Sequence, residues 1–249
     1  MKRIIRVAVW LFNLLPPAVF MRNHCRTFFL KHANAEQIFT RIYRERSWPS
    51  DSSLSGPGSE ICQTERIIKS LPEMIRSYEV STMLDIPCGD FHWMKEVDLS
   101  QVDYLGADIV EDLIARNDRK YRGTNRRFRK YDVLSDKLPR VDLILCRDCL
   151  VHFSERDVFA ALQNICESQS EFLLATTFPN RLKNGEIRTG QWRAINLEIA
   201  PFQLPTPVTI INEGCTEADG TYKDKSLGLW RIADLKRCLK PGVLKQPKA

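Results

Sequence analysis

Acidic side chains and one imidazole stand directly after successive short apolar runs of this 249-residue chain: Asp85, Asp108, Asp132, Asp148 and His152. A carboxylate at the end of a strand, as Asp108 would be, can accept hydrogen bonds from both hydroxyls of a ribose. Asp148 and His152 lie on one short segment and are the groups available for general acid–base chemistry. Gly89 follows the first run, where a missing side chain lets the backbone approach a ligand. These residue types predict one binding site, built mostly within residues 83–153.

The runs that carry these residues alternate with helical patterns. We expect five strands of the βα type, at residues 81–87, 103–109, 126–133, 141–147 and 171–178. Amphipathic stretches between them, such as residues 111–120, predict helices. Strand–helix alternation is typical of a parallel sheet with helices on both faces, whose ligands bind at the carboxyl ends of the strands.

The two ends of the chain differ from this pattern. Residues 207–213 and 225–232 predict two strands that pair antiparallel, because no helix separates them. Before the sheet, residues 35–46 predict a helix. A second helix is expected to have Ser59 as its N-cap and to kink or restart at Pro72. The predicted fold is therefore α/β: a doubly wound, mostly parallel seven-stranded sheet with an antiparallel C-terminal hairpin, helices on both faces and an N-terminal helical extension. Its predicted boundaries are 1–34, 35–80, 81–235 and 236–249.

Composition narrows the class of protein. Hydrophobic residues make up 43% and charged residues 27% of the chain, as in a folded soluble protein. The net charge of +6 permits an anionic partner without requiring nucleic acid. The basic run at residues 116–130 favours a solvated helix and edge strand over a binding surface. Among eight cysteines, Cys146 and Cys149 have CxxC spacing but lack a second pair or nearby histidines, so no metal site is expected.

The first residues form a separate segment. A basic start is followed by an apolar run at residues 7–21, shorter than the ~20 residues of a spanning helix. Three interpretations stay open: a helix that lies on the domain or on a membrane surface through residues 4–21, an uncleaved anchor, and a cleaved signal. The scattered cysteines and the lack of an N-x-[ST] site favour a cytoplasmic location, with membrane association through this segment left open. The oligomeric state is not predicted.

The motifs at the strand ends resemble those of the class I, Rossmann-like methyltransferases that use S-adenosylmethionine (SAM). The segments LDIPCGDF, GADI, YDVLSD and DLILCRDCLVHF are similar, in order and spacing, to four motifs of that family. The terminal hairpin fits as well, because the family's seventh strand runs antiparallel. The resemblance covers about residues 59–232. Pro87 and Phe91 stand where the family has glycines, and they narrow the conformations open to the first turn.

The resemblance implies a role for each site residue. It makes SAM the cofactor, with Asp85 and Gly89 at its methionine part, Asp108 at the ribose and Asp132 near the adenine amine. Arg147 and Asp148 would face the sulfonium and the acceptor. The resemblance thus implies a cofactor-binding set and a catalytic set: Asp85, Pro87, Gly89, Asp108, Ile109, Asp132 and Val133, and Arg147, Asp148 and His152. His152 would remove a proton from the acceptor, or would merely pack or cap the next helix.

The implied reaction is methyl transfer to an oxygen or nitrogen of a small-molecule or sugar acceptor. A nucleic-acid acceptor is not favoured, because the chain lacks a separate nucleic-acid module. Two alternatives stay open. One is a non-catalytic SAM-binding module on the same fold, and the other is a nicotinamide-dependent oxidoreductase, which would be expected to have G-x-G-x-x-G after the first strand. The Ser- and Gly-rich residues 47–59 are either a lid or a surface connector, and the helix start near Ser59 could offer N–H groups to the SAM carboxylate.

Overall fold

The computed structural model describes residues 33–239, and they form a seven-stranded sheet. Its strands are β1 (Thr82–Asp85), β2 (Asp103–Asp108), β3 (Arg126–Lys130), β4 (Leu143–Cys146), β5 (Phe172–Thr177), β6 (Thr209–Asn212) and β7 (Ser226–Arg231). They lie in the order β3-β2-β1-β4-β5-β7-β6. The first five are parallel, and β7 pairs antiparallel with both β5 and β6. This topology confirms the predicted fold class.

Helices cover both faces of the sheet. They are α1 (Ala35–Arg44), α2 (Ile61–Ser77), α3 (Glu111–Tyr121), α4 (Glu155–Glu167) and α5 (Ile232–Cys238). Alternate residues of β4 serve opposite faces: Ile144 belongs to the core under α4 and α5, and Leu145 to the core under α2 and α3. Since all four residues of β4 are buried, its sequence reads as one apolar run.

The second helix departs from the sequence-based expectation at two points. Pro72 does not interrupt it, since α2 is continuous from Ile61 to Ser77. Its buried stripe runs past the proline on both sides, from Ile67 to Ile75, and this packing outweighs one missing hydrogen bond. Ser59 is not its N-cap either, because a short 3-10 turn, Pro57–Ser59, comes first and Glu60 takes the cap position.

Helix α1 lies across the carboxyl end of the sheet. It forms one ion pair with β3, Glu36–Lys130 at 2.6 Å, and one with α3, Arg44–Asp112 at 3.0 Å. Phe39 adds a ring contact to Phe153, with centroids 5.8 Å apart. The helix therefore covers the edge of the sheet at which the strand-end acids meet.

Other features of the chain lie away from that edge or outside the described residues. Most side chains of the basic run at residues 116–130 are exposed, several of them in surface ion pairs such as Arg127–Asp103.

Within residues 33–239, no helix is long and apolar enough to cross a membrane, and no group of side chains could hold a metal ion. The N-terminal residues 4–21 lie outside the described part of the chain.

Candidate functional site

A cavity of about 380 Å³ opens at the carboxyl ends of β1, β2 and β4, beneath α1. This volume is in the usual range for small-molecule and cofactor sites. All ten predicted site residues line it: Asp85, Pro87, Gly89, Asp108, Ile109, Asp132, Val133, Arg147, Asp148 and His152. The structure thus brings together residues that are spread over four strand ends. Their individual roles stay predictions.

Two buried carboxylates form the floor of one end, which we call the cofactor end. Asp85 is the last residue of β1 and accepts a hydrogen bond from the Tyr104 hydroxyl at 2.6 Å. Asp108 is the last residue of β2 and accepts from the backbone N–H groups of Val110 at 2.9 Å and Gly89 at 3.3 Å. Burial raises the pKa of Asp85 to about 7 and that of Asp108 to about 6.

The turn after β1 accommodates both residues that replace the family's glycines. Pro87 follows a cis peptide bond and lines the cavity. Phe91 has a φ of +59°, and its side chain is buried under the sheet, with ring contacts to Tyr104 and Phe128 at centroid distances of 5.3 and 5.2 Å. Because that ring packs into the core and does not line the cavity, it takes no room from a ligand.

The loop formed by residues 47–59 is fastened to the same turn. The Asp90 carboxylate accepts hydrogen bonds from the backbone N–H of Leu54 at 2.7 Å and from the hydroxyls of Ser53 at 3.0 Å and Ser55 at 3.2 Å. Ser55 in turn accepts the backbone N–H of Asp90 at 2.9 Å. This loop lines the cavity from Leu54 to Ser59, so it is part of the site wall. Asp90 was missed because a carboxylate that orders a loop has no distinctive spacing in the sequence.

The N–H groups expected to hold a carboxylate near Ser59 are otherwise engaged. The N–H of Ser59 donates to the Gly56 carbonyl, and that of Glu60 donates to the Pro57 carbonyl. Ile61, the first residue of α2, is 40% exposed and does not line the cavity. The start of α2 therefore does not supply the anion site that the sequence suggested.

Asp132 lies past the end of β3, beside Val133 and Tyr131 at the rim of the cofactor end. Its carboxylate accepts the N–H of Leu134 at 2.9 Å and the hydroxyl of Ser135 at 3.1 Å. These bonds hold the turn, and the half-buried side chain still reaches the cavity.

A largely buried network of two positive and two negative groups contributes to the cavity wall. Arg147 donates to Glu213 at 2.7 Å and to the Gly58 carbonyl at 2.7 Å, and it lies 3.2 Å from Asp148. Lys225 donates to Asp148 at 2.6 Å and is 3.5 Å from Glu213. The Arg147 guanidinium also stands over the ring of Trp93, a wall residue at 5.3 Å.

The charge network sets the pKa of Asp148 and therefore its possible role. Burial alone would raise its pKa, but the attraction of Lys225 and Arg147 outweighs burial and holds the pKa of Asp148 at about 2. A carboxylate with so low a pKa is a poor proton acceptor at neutral pH. Asp148 is therefore suited to orient and to stabilise positive charge. Lys225 could not be identified from the sequence, since a lysine beside a strand is usually solvated.

His152 has the geometry of a proton acceptor. Its Nδ1 is 2.9 Å from the Gln191 carbonyl, which can only accept, so Nδ1 carries the proton in the neutral ring. Nε2 then has a free lone pair, and no described residue donates to it. Burial lowers the pKa of His152, outweighing the Gln191 hydrogen bond and the charge of Asp148, which raise it, so the ring is neutral at pH 7.

Aromatic side chains from two connections close the other end, which we call the acceptor end. Trp192, from the β5–β6 connection, meets Tyr222, from the β6–β7 connection, with ring centroids 4.8 Å apart. Phe178 contacts both rings, at 6.1 and 6.0 Å. Residue spacing could not find this cluster, because its members are far apart in the chain and only the tertiary fold joins them.

The comparisons with known proteins bear on the fold. No protein-family model matches the sequence, and no curated protein matches it. Among solved structures, the N-methyltransferase NodS from Bradyrhizobium japonicum WM9 in complex with S-adenosyl-L-homocysteine (SAH) aligns with 80% of this chain and 98% of its own, at a TM-score of 0.56 and 16% identity. A second NodS structure aligns with 70% of this chain and 98% of its own, at 0.52 and 17% identity. The chain has the fold of a class I SAM-dependent methyltransferase.

Other methyltransferase-fold structures align over shorter stretches. Human N-acetylserotonin methyltransferase in complex with SAM matches 59% of this chain and 42% of its own, at a TM-score of 0.40 and 19% identity. This chain therefore spans less than half the length of that protein. Within the methyltransferase fold described here, the cavity lies where the parallel strands end, as expected for a doubly wound sheet.

Proposed function

We propose that this chain is a SAM-dependent methyltransferase that transfers a methyl group to an oxygen or nitrogen of a small-molecule acceptor, sugars included. One observation carries the proposal: a single cavity joins the strand-end acids of the cofactor end to a neutral histidine with a free Nε2. The shared fold with an N-methyltransferase crystallised with SAH supports the choice of cofactor.

At the cofactor end, we assign the ribose to Asp108, because a buried carboxylate at the end of β2 can accept both hydroxyls. Asp132 is assigned to the adenine side, with Ile109 and Val133 as apolar walls. The methionine part lies along Asp85, Pro87 and Gly89. SAM supplies the activated methyl group, and the protein's part is to bind, align and exclude water.

At the acceptor end, His152 would accept at Nε2 the proton that the acceptor oxygen or nitrogen loses on methylation. Its Nδ1–H stays on the Gln191 carbonyl throughout, which fixes the ring plane. Asp148, which Lys225 and Arg147 keep ionised, would orient the reacting groups and balance positive charge in the transition state, and Arg147 holds Asp148 and the Gly58 carbonyl in place.

Methyl transfer from labelled SAM tests this proposal. The purified full chain should move label from SAM into a small-molecule fraction of a cell extract. Replacing His152 by glutamine should lower that rate while SAH binding persists. Label that stays on SAM in every fraction, despite tight SAH binding, would favour the non-catalytic SAM-binding module.

A nicotinamide-dependent oxidoreductase is the other alternative. Its glycine-rich turn is not present after β1, where residues 86–91 read IPCGDF and hold only Gly89. Calorimetry with NAD in place of SAH distinguishes the two: heat with NAD and none with SAH would favour the oxidoreductase.

We also propose a cytoplasmic location with contact to a membrane surface through residues 4–21. Basic residues before an apolar run too short to span a bilayer support this proposal. Deleting residues 1–22 should move the protein from the membrane fraction to the soluble fraction, and unchanged fractionation would refute the contact.

A further inference from the structure

Outside the cofactor end, the cavity wall holds one carboxylate that forms no ion pair within residues 33–239. Among the cavity-lining residues the cationic side chains are Arg147 and Lys225, and the pairs with Glu213 and Asp148 balance them. Glu217 is a further carboxylate at this place. A Cβ added at Gly58 would lie 3.3 Å from Asp148 Oδ2, 3.3 Å from Lys225 Nζ and 3.5 Å from Glu217 Oε2, so these three atoms converge on Gly58.

Among the described residues, no cation forms an ion pair with Glu217 within 4 Å, although its charge attracts the Arg147 guanidinium at longer range. The polar contact of Glu217 in the described structure is the thiol of Cys215, 3.6 Å away, and a thiol is a weak donor. Glu217 lines the cavity and is half-buried, so it faces bound molecules rather than bulk solvent alone. A carboxylate in this position favours a ligand with positive charge and disfavours an anion.

The aromatic cluster lines the same cavity as Glu217, and its rings can bind a cation. Trp192 is 42% exposed, and Tyr222 follows Glu217 in the same connection between β6 and β7. The guanidinium of Arg181 already stands over Tyr222, 5.5 Å from the ring centroid. Asp224 neutralises that guanidinium at 3.1 Å, so it does not repel a second cation. Ring faces of tryptophan and tyrosine attract ammonium groups.

We propose that the acceptor carries an ammonium group, which binds in the cavity lined by the Glu217 carboxylate and by the rings of Trp192 and Tyr222. The inference rests on the proposed methyltransferase function and narrows its acceptor to amine-bearing molecules. Within the described residues, phosphorylated or carboxylated acceptors find no unpaired cavity-lining cation, because Arg147 and Lys225 already form ion pairs.

Three probes that share an indole ring and differ in charge test this inference. Tryptamine is cationic, tryptophol is neutral and indole-3-acetate is anionic. Their dissociation constants are measured by ligand-observed NMR on the full chain saturated with SAH. Tryptamine should bind about three- to thirtyfold more tightly than tryptophol, the range expected for a cation at a partly desolvated aromatic and acidic site. Indole-3-acetate should bind most weakly.

Matched variants locate the preference. Glu217→Gln should remove the difference between tryptamine and tryptophol, whereas Glu73→Gln, an exposed change of the same charge on α2, should keep it. Trp192→Leu should weaken both probes. The inference is overturned if indole-3-acetate binds as well as tryptamine, or if Glu217→Gln keeps the preference.

A third outcome would assign Glu217 to the cofactor. SAM and SAH carry an ammonium group of their own, so a loss of SAH affinity in Glu217→Gln with an unchanged probe preference would overturn the acceptor assignment. SAH binding also separates the two proposals. No SAH binding to the unaltered chain contradicts the methyltransferase function itself, whereas SAH binding without a charge preference contradicts this inference alone.

Discussion

The indole ring of Trp48 lies over the imidazole of His152, with ring centroids 4.6 Å apart and planes inclined by 27°. Trp48 belongs to the loop that precedes the sheet, and His152 follows β4. The stack holds the imidazole on one side while the Gln191 carbonyl holds its Nδ1. The loop therefore positions the proposed base as well as covering the cavity.

This arrangement predicts a pH profile for methyl transfer. Because burial keeps the pKa of His152 below its ordinary value of 6.5, kcat should rise with pH in the acid range and be level above about pH 7. His152→Gln should lower kcat about 100-fold and remove the rise, while SAH affinity stays unchanged. Steady-state rates with labelled SAM, measured at each pH, check both points.

His92→Gln is the control for that experiment, because His92 is half-buried and does not line the cavity. It should keep the rate and the profile. Trp48→Leu should lower kcat with the same acid limb, since the base remains but loses its support. A rate in His152→Gln equal to that of the unaltered chain would rule out the base assignment.

The buried charge network predicts a large loss of stability when one member is removed. Glu213→Gln leaves Arg147, whose side chain is 3% exposed, without its closest counter-charge. Such a break should cost about 3–5 kcal/mol in the free energy of unfolding. Urea denaturation followed by circular dichroism measures the change.

Glu65→Gln gives the comparison, since it breaks an exposed i,i+4 pair with Lys69 on α2. Its urea midpoint should match that of the unaltered chain, because exposed pairs contribute little. Equal midpoints for Glu213→Gln and Glu65→Gln would show that the network is not important for stability.

The turn at Gly89 predicts coupling between the cofactor end and the loop of residues 47–59. Gly89 has a φ of +53°, and a Cβ there would lie 2.2 Å from the Ser55 hydroxyl. Gly89→Ala should displace Ser55 from Asp90, speed hydrogen exchange in residues 47–59 and weaken SAH binding. Mass-spectrometric hydrogen exchange reads out the loop directly.

Adding Ser55→Gly to Gly89→Ala removes the clash and should restore part of the SAH affinity. Gly185→Ala is the neutral comparison, because nothing lies within 4 Å of its added Cβ. Exchange in residues 47–59 that is the same in Gly89→Ala as in Gly185→Ala would mean that the turn does not hold the loop.

Asp85 predicts that the ligand-free protein is less stable at neutral than at mildly acidic pH. Burial raises its pKa from 3.8 to about 7, so the native state holds a proton that the unfolded chain releases above about pH 4. Its contribution to stability is therefore full at acid pH and is lost as the pH rises through 7. From pH 5 to 7 the loss is about 2 kcal/mol.

Urea midpoints of the ligand-free chain between pH 5 and 7 measure this slope. Asp85→Asn should flatten it without abolishing it, because burial also raises the pKa of Asp108, to about 6. A slope unchanged by Asp85→Asn would show that Asp85 is ionised in the folded protein at pH 5.

The sequence was sufficient for the sheet because buried parallel strands leave a strong local pattern. Residues of β4, such as Ile144 and Leu145, must be apolar on both faces, and each strand-end acid follows directly after such a run. Since strand ends converge in a parallel sheet, the chain order of Asp85, Asp108 and Asp148 was enough to predict one cavity.

Tertiary contacts decided the rest. Glu213 and Lys225 gain their importance from Arg147 and Asp148, which are far away in the chain, and an ordinary strand-end glutamate looks the same in sequence. Pro72 does not divide α2 for a similar reason: the apolar stripe of α2 packs on the sheet before and after the proline, a non-local stabilisation that helix-breaking rules do not include.

SAH binding at the strand-end acids can be measured by calorimetric titration of the full chain. The unaltered protein should bind SAH at one site. Asp108→Asn should weaken binding about 10- to 100-fold, the usual loss for hydrogen bonds to a charged group, while Asp103→Asn at the exposed start of the same strand should have no effect. Absence of SAH binding to the unaltered chain, or unchanged affinity in Asp108→Asn, would contradict the account.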